Sequence, residues 1–596
     1  MQRFPLAAPL LALCLALPAP ALAQKADKKD APDDVQAAIQ RAVDKAKAEI
    51  RDEVRAELQG QQSAREFLDA GNAADKPRLE LLQLDGYLRV RGDLLNDLSL
   101  RRHNDHSLGP AAAAPADRGG YYLFPPPLHD PLGQSTQTSG NLRLRLEPVI
   151  NVSEQVRILA QIDLLDGIVL GSGRSAQSAK DQPWYASSVQ PPLAGSHGID
   201  RDSLTVKRVW GEVQTPVGLL SFGRMPSQWG MGIVANAGSG LDDDLGDSVD
   251  RLQLAIPLRQ TMVGPLVLVP YYDITGSGLV SQNLGGTGQP FSVDKADESW
   301  TMGLKAVRID TEEEMARKLA RGESSLNYGG LYGYSVQHYS NFTRTGTPGD
   351  GASTTAVDTI NTGYAAHRLS LWGRYRTKRL RLEAEVAGVY GSIADPRTSA
   401  ATASPGAVDI RSFGGAFQTD YRPSDGKWLL GLDLGFASGD RAPGLGNRPE
   451  RGTALPGAID GAQFGNNDLA IRNFRFNAAY RVDQILWREL LGNVTDAWYL
   501  KPSVRWDVLE GLSLQLAIVY SQAIFRTSTP SGRALPLGLE SDFTIRYASD
   551  DGFHAWFTWA MLEPLAGLGY PVDYGVVDLP GLKRAHALRT GLAIKF

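Results

Sequence analysis

From Leu84 onward the chain alternates hydrophobic and polar residues with a period of two. Leu84, Gly86, Leu88, Val90, Gly92 and Leu94 fall on one face, and Asp85, Tyr87, Arg89, Arg91 and Asp93 on the other. The pattern recurs with Leu142, Leu144 and Leu146 against Arg143, Arg145 and Glu147, and with Val156, Ile158 and Ile162 against Arg157, Gln161 and Asp163. Leu369 and Leu371 alternate with Arg368, Ser370 and Arg374, and after a tight turn Leu380, Leu382 and Val386 alternate with Arg381, Glu383 and Glu385. Such runs predict β-strands with one apolar and one charged face.

A soluble β-sandwich alternates in the same way, so strand length has to discriminate. The runs are mostly 10 to 13 residues long, and short connections alternate with very long ones. Strands of this length suit a tilted crossing of a bilayer, with short turns on one rim and long loops on the other. In lipid every backbone N–H and C=O needs a partner within the protein, so the strands have to close into a barrel. Aromatic residues such as Trp428, Trp506, Tyr547 and Phe553 fall at strand ends, where a membrane-interface girdle needs them. Eighteen runs between residues 81 and 596 satisfy the even count that leaves both ends on the periplasmic side. The fold class is therefore all-β, an antiparallel transmembrane barrel of about 18 strands. Residues 439–496 read as an external or lumen-inserted loop with a short helix from Asp483 to Leu491. Thr311 to Glu314 forms a capping box that predicts a helix on the short-turn rim, stopped at Gly322.

The N-terminus has a different period. Arg3, the apolar run Phe4 to Leu17 and Ala21-Leu22-Ala23 have the layout of a secretory signal peptide, residues 1–23. Residues 24–80 form a helical and linker segment, in which Val35, Ile39, Val43, Ala46, Ile50, Val54 and Leu58 make one thin stripe. That stripe reads either as a periplasmic coiled coil, which would make the protein a homotrimer, or as a solitary solvated helix.

The composition narrows the function. With 61 Lys+Arg against 66 Asp+Glu, the chain lacks the basic field of a nucleic-acid binder. Its one cysteine, Cys14, lies in the signal, so disulfides and thiolate-bound metal centres are excluded and no cofactor is implied. The eight histidines are scattered; only the His103-to-His106 stretch offers two imidazoles and a carboxylate, in a polar loop. Neither a Gly-x-Ser-x-Gly elbow in a hydrolase context nor a His-Glu-x-x-His motif is found, and no enzyme is expected.

The last run, Leu588, Thr590, Leu592, Ile594 and terminal Phe596, resembles the C-terminal recognition strand of Gram-negative outer-membrane barrels. The resemblance implies an outer-membrane location and insertion by the barrel-assembly machinery. Gly223-Arg224-Met225, Trp229-Gly230, Gly246-Asp247, Val249-Asp250-Arg251, Tyr480-Arg481-Val482-Asp483, Ile485-Leu486 and Arg488-Glu489 resemble segments of an uncharacterised family of deltaproteobacterial outer-membrane barrels. More distantly, the chain is similar to sugar porins and alginate exporters.

The expected function is a channel for small hydrophilic solutes, anionic or carbohydrate. The candidate pore-lining residues are Arg89, Arg91, Arg143, Arg145, Arg157, Arg368, Arg374, Arg381, Glu383 and Glu385. Asp242, Asp243, Asp244, Asp247 and Asp250 fall at the third external loop, which reads as a constriction loop, a solvated loop or a hard-cation site. Inward cations slightly outnumber inward anions, so a mild anion preference at low salt is expected. Competing readings are a non-conducting structural or adhesive barrel, a polysaccharide exporter and a barrel-embedded hydrolase. A stripe that assembles the trimer predicts that deleting residues 25–60 lowers the particle mass in detergent to that of a monomer, measured by light scattering. An unchanged mass would make the segment a tether.

Overall fold

The structure is a computed structural model that describes residues 81–98, 100, 136–169, 204–258, 266–275, 299–345, 355–396, 404, 406–423, 426–441, 445, 469–569 and 581–596. The signal peptide, the 24–80 segment and the His103-to-His106 stretch lie outside the described residues.

The alternating runs form β1 (Leu82–Asn96), β2 (Thr136–Ser153), β3 (Val156–Val169), β4 (Leu204–Thr215), β5 (Gly218–Pro226), β6 (Ser248–Leu258), β7 (Leu266–Thr275), β8 (Ser299–Arg308) and β9 (Ser325–Gln337). After a small external hairpin, β10 (Ser340–Thr345) and β11 (Thr355–Ile360), follow β12 (Tyr364–Arg376), β13 (Leu380–Ile393), β14 (Val408–Tyr421) and β15 (Trp428–Ala437). A two-residue strand, β16 (Ala470–Ile471), precedes β17 (Ala497–Leu509), β18 (Leu512–Ala523), β19 (Pro536–Ala548), β20 (Phe553–Pro564) and β21 (Ala585–Lys595).

Nineteen strands share one sheet, and β16 only pairs in parallel with β14, so eighteen build the wall. All wall pairings are antiparallel, and β1 pairs with both β2 and β21, which closes the ring. The terminal residue completes the seam. Gly86 N–H donates to the Phe596 carbonyl at 2.9 Å and Phe596 N–H to the Gly86 carbonyl at 3.1 Å. A Cβ on Gly86 would lie 2.9 Å from the Phe596 ring, so the glycine makes room for it.

Burial is reversed relative to a soluble protein. Leu84, Leu88 and Leu94 are exposed on β1, whereas Arg89 and Arg91 between them are 0 % and 2 % exposed. On β12, Leu369 and Leu371 are exposed while Ser370, Trp372 and Arg374 are buried. A closed antiparallel sheet with an apolar exterior and a charged interior is a transmembrane barrel of the outer-membrane type. Some exposed aromatics lie at strand ends, as in the stacked Trp428–Trp506 pair with ring centres 5.7 Å apart.

The helix Glu312–Ala320, α1, sits between β8 and β9. The Thr311 hydroxyl accepts from Glu314 N–H and the Glu314 carboxylate accepts from Thr311 N–H, so two of the free donors at the helix start are met. Met315, Ala316 and Leu319 bury its apolar side. The helix expected over 483–491 is shorter and wider, a π-helical turn over Leu486–Leu490.

Leu371, near the middle of β12, faces outward, so Leu371→Arg should destabilise the barrel by about 2–4 kcal/mol in lipid vesicles, while Leu84→Arg near the rim should cost about 1 kcal/mol or less. Urea titrations of the two variants reconstituted in the same lipid measure the difference. Equal costs would contradict the assignment of the apolar face to lipid.

Candidate functional site: a constriction built by two inserted loops

Two external connections enter the lumen: L3, residues 227–247, and L7, of which residues 438–441, 445 and 469–496 are described. Apolar residues dock the base of L3. Trp229, Met231 and Ile233 are buried, and the Trp229 indole N–H donates to Ser370 Oγ at 2.9 Å. Ser370 Oγ in turn donates to Glu385 Oε1 at 3.2 Å, and Glu385 Oε2 accepts Ile233 N–H at 3.4 Å. The loop then doubles back. Gly238 has φ +63°, and a Cβ there would lie 1.7 Å from the Leu245 carbonyl oxygen, so this pinch needs glycine.

The pinch delivers the acidic tip to the arginines of β1 and β2. Arg91 contacts Asp242 at 2.9 Å and Asp244 at 3.0 Å. Arg89 donates to the Leu241 carbonyl at 2.9 Å and Arg143 to the Asp243 carbonyl at 2.7 Å. From L7, Arg488 reaches Asp242 at 2.6 Å. Burial would push the Asp242 carboxyl up, but Arg488 and Arg91 overcome it and hold it well below the ordinary range. Asp244 is held low in the same way by Arg91, Arg89 and Arg488. Asp243 is raised, because burial outweighs the hydrogen bond it takes from Gly240 N–H.

L7 is tied to both L3 and the wall. Asn477 N–H donates to the Ile233 carbonyl at 2.8 Å, and its side-chain amide to Asp247 at 2.6 Å. Phe474, Phe476, Val482, Ile485, Leu486 and Trp487 are all buried. Glu540 on β19 accepts the N–H groups of Gln484, Ile485 and Leu486 at 2.8, 2.8 and 3.0 Å. Asp483 Oδ1 accepts from Trp487 N–H at 2.9 Å and Arg488 N–H at 3.2 Å, capping the π-helical turn. Arg589 joins the turn to the seam by pairing with Glu489 and, at 3.1 Å, with Asp93.

The candidate residues therefore divide. Arg89, Arg91 and Arg143 meet Asp242, Asp243 and Asp244 at the L3 tip. Arg145 takes Asp163 in a two-pronged contact at 2.7 and 2.9 Å, and Arg157 pairs with Glu212 at 2.5 Å. Arg374, Glu383 and Glu385 are buried on the wall that L3 and L7 cover, with Arg374 and Arg381 each 2.9 Å from Glu383. Arg368 is solvent-exposed on β12. Asp247 braces the two loops. Asp250 needs correction: it lies on β6, not in the loop, and pairs at 2.7 Å with Arg224 where both are about half exposed, while its neighbour Arg251 is buried against Asp273. Strand β6 begins at Ser248, two residues before the acidic run ends, and the alternation turns Asp250 away from the buried side. The hard-cation reading of the tip loses ground because Asp242 and Asp244 face arginines. Among the described residues no group of His, Cys, Asp and Glu has metal-binding geometry.

Opposite the inserted loops a cavity of about 520 Å³ remains. Its roof is Ser239 to Asp243 of L3 and Arg481 to Gln484 of L7; its wall carries Asp85, Tyr87, Glu147, Lys501, Asp542, Arg546, His554, Trp556 and Arg589; its lower end is Lys595 and Phe596. Sequence reasoning placed Glu540 and Asp542 on inward faces without assigning them a role, and gave Arg488 and Asp483 no definite place in the lumen. The family-like segments were the available signal, since Trp229-Gly230, Gly246-Asp247 and Tyr480 to Glu489 converge where L3 meets L7.

No protein-family model and no curated protein matches the chain. Solved structures similar to it include OccAB3 of Acinetobacter baumannii, with 11% identity over 86% of this chain and 99% of that one at a TM-score of 0.41. OccK11 (OpdR) of Pseudomonas aeruginosa has 13% identity over 86% and 96%, TM-score 0.40, and a BenF-like porin from Pseudomonas fluorescens has 10% over 87% and 100%, TM-score 0.41.

Arg488→Met would leave Asp242 with one cationic partner in place of two, at a cost of about 1 kcal/mol to the seating of the loop. The barrel should still migrate as a folded species in unheated gels, while any current through it flickers as the L3 tip comes free. Currents as steady as those of the unaltered protein would mean the pair does not hold the loop.

Proposed function

We propose that this protein is an outer-membrane channel for the diffusion of small hydrophilic solutes, narrowed by L3 and L7. The observation that carries the reading is the polar cavity of about 520 Å³ between the inserted loops and the β17–β2 wall, which extends to Phe596 at the periplasmic rim. A wall of eighteen strands encloses more space than its own side chains can fill, and the described parts of L3 and L7 leave the cavity open beside them. The strand ending in Phe596 is the feature the barrel-assembly machinery would read.

For selectivity, the arginines that favoured an anion preference are already matched, Arg145 by Asp163 and Arg91 by Asp242 and Asp244. The cavity lining has six carboxylates, Asp85, Glu147, Asp242, Asp243, Asp483 and Asp542, against five cations, Arg481, Lys501, Arg546, Arg589 and Lys595. That balance supports neutral hydroxylated or zwitterionic solutes, a carbohydrate among them, over simple anions.

Purified protein in a planar bilayer is expected to give stepwise conductance, with a reversal potential close to zero in a potassium chloride gradient. Silence from a barrel shown to be folded would favour a structural or adhesive role, and a strongly anion-selective potential would restore the arginine wall as the filter.

A further inference from the structure

Two buried carboxylates at the roof of the cavity each have an oxygen with nothing to hold. Asp483 gives Oδ1 to the Trp487 and Arg488 amides, but its Oδ2 has no hydrogen-bond partner among the described residues. On β19, Asp542 Oδ1 is likewise unpartnered. Their exposures are 2 % and 7 %, and both line the cavity. A buried acceptor without a donor is costly, and more so when it is charged.

The surroundings do not supply the missing donors. Glu540, beside both, is engaged by three L7 amides and adds a third acid. Arg589 is held by Asp93 and Glu489. Lys501 is close enough to be felt by both acids, yet it also serves Asp433 at 3.8 Å. Three carboxylates thus share two cations, Lys501 and Arg589, each of which also serves a carboxylate elsewhere. Burial, reinforced by Glu540, pushes the Asp483 carboxyl well above its ordinary range, which is the response of an acid short of a counter-charge.

We propose that Asp483 and Asp542 form a binding site for the protonated nitrogen of a small organic solute, an ammonium or a guanidinium. The proposal rests on the channel reading and names the group the channel recognises. A bare metal ion would need more converging ligands than the described residues offer, whereas an organic cation brings several N–H donors that can reach two separated oxygens. The wall below suits such a solute. The inward row steps from Asp542 through the Thr544–Thr558 hydroxyl pair, 3.1 Å apart, to Trp556, which pairs in register with Arg546. Trp556 is four residues from the position opposite Asp542, roughly 13 Å along the strand. Its ring crosses Gly591, where a Cβ would lie 2.0 Å from it, so β21 is shaped to let the indole lie flat. A flat indole is a favourable surface for a cation on its way to the acids.

The test uses the full-length protein in planar bilayers at pH 8, with millimolar propylammonium or guanidinium as probes and propionate as the anionic control. Both cations should interrupt the potassium chloride current in discrete events, and propionate should not. In Asp483→Asn/Asp542→Asn the dwell times should shorten about tenfold or more, with the open-channel conductance retained. Should the double variant fail to fold, Asp542→Asn alone serves, because Asp542 holds no L7 amide, and it should shorten the dwell times in the same direction. Dwell times unchanged by the substitutions, or a conducting protein that neither cation interrupts, would overturn the site. Calorimetry of propylammonium on the detergent-solubilised barrel reads the site without conductance. Binding that the substitutions abolish in a silent barrel supports the site and removes the channel reading, while the absence of binding heat overturns the site.

Discussion

The governing constraint is that hydrocarbon offers no hydrogen bonds. Each backbone N–H and C=O in the membrane has to find its partner in another strand, so the sheet cannot end and has to return to β1. Closure through β21 and Phe596 follows from that requirement, and so does the inversion of burial, with leucines outside and arginines inside. It also leaves a lumen much larger than the side chains around it can occupy.

L3 and L7 answer the second problem. They carry an apolar core into a charged interior: Trp229, Met231 and Ile233 from one loop, Phe474, Phe476, Ile485, Leu486 and Trp487 from the other. The charged groups left under this core are paired, as with Arg374 and Glu383, and those at its edge lock it in place, as with Arg91, Arg488, Asp242 and Asp244. The side of the interior under L3 and L7 thus behaves as a protein core, and Asp483 and Asp542 lie where it meets the cavity.

Much of this was legible in the sequence. Alternation along one strand is a local signal, and parity converts eighteen such signals into a closed ring, so the wall could be read without any tertiary information. The capping box at Thr311 was equally local. Which inward residues touch water was not legible, because Arg368 and Arg374 share one alternation phase on β12 and differ only in what covers them. Covering depends on contacts between distant segments, such as Asn477 with Asp247, for which no periodicity exists. Asp250 was misplaced for a related reason: a charged run continued for three residues into a strand, and composition hid the boundary. Asp483 carried no pattern beyond its place in a family-like segment.

The bond between Asp242 and Arg488 joins residues 246 apart in the chain, and the same L3 tip is held by Arg89, Arg91 and Arg143 from the first two strands. The locked tip therefore requires β1, β2, L3 and L7 to be together, and the turn that carries Arg488 is tied through Gln484 and Glu489 to Arg589 of β21, the strand that closes the ring. Contacts of such sequence separation form late. The narrow passage is in this sense a product of completed assembly: a half-inserted chain has no finished constriction, and the filter comes into being with the seal.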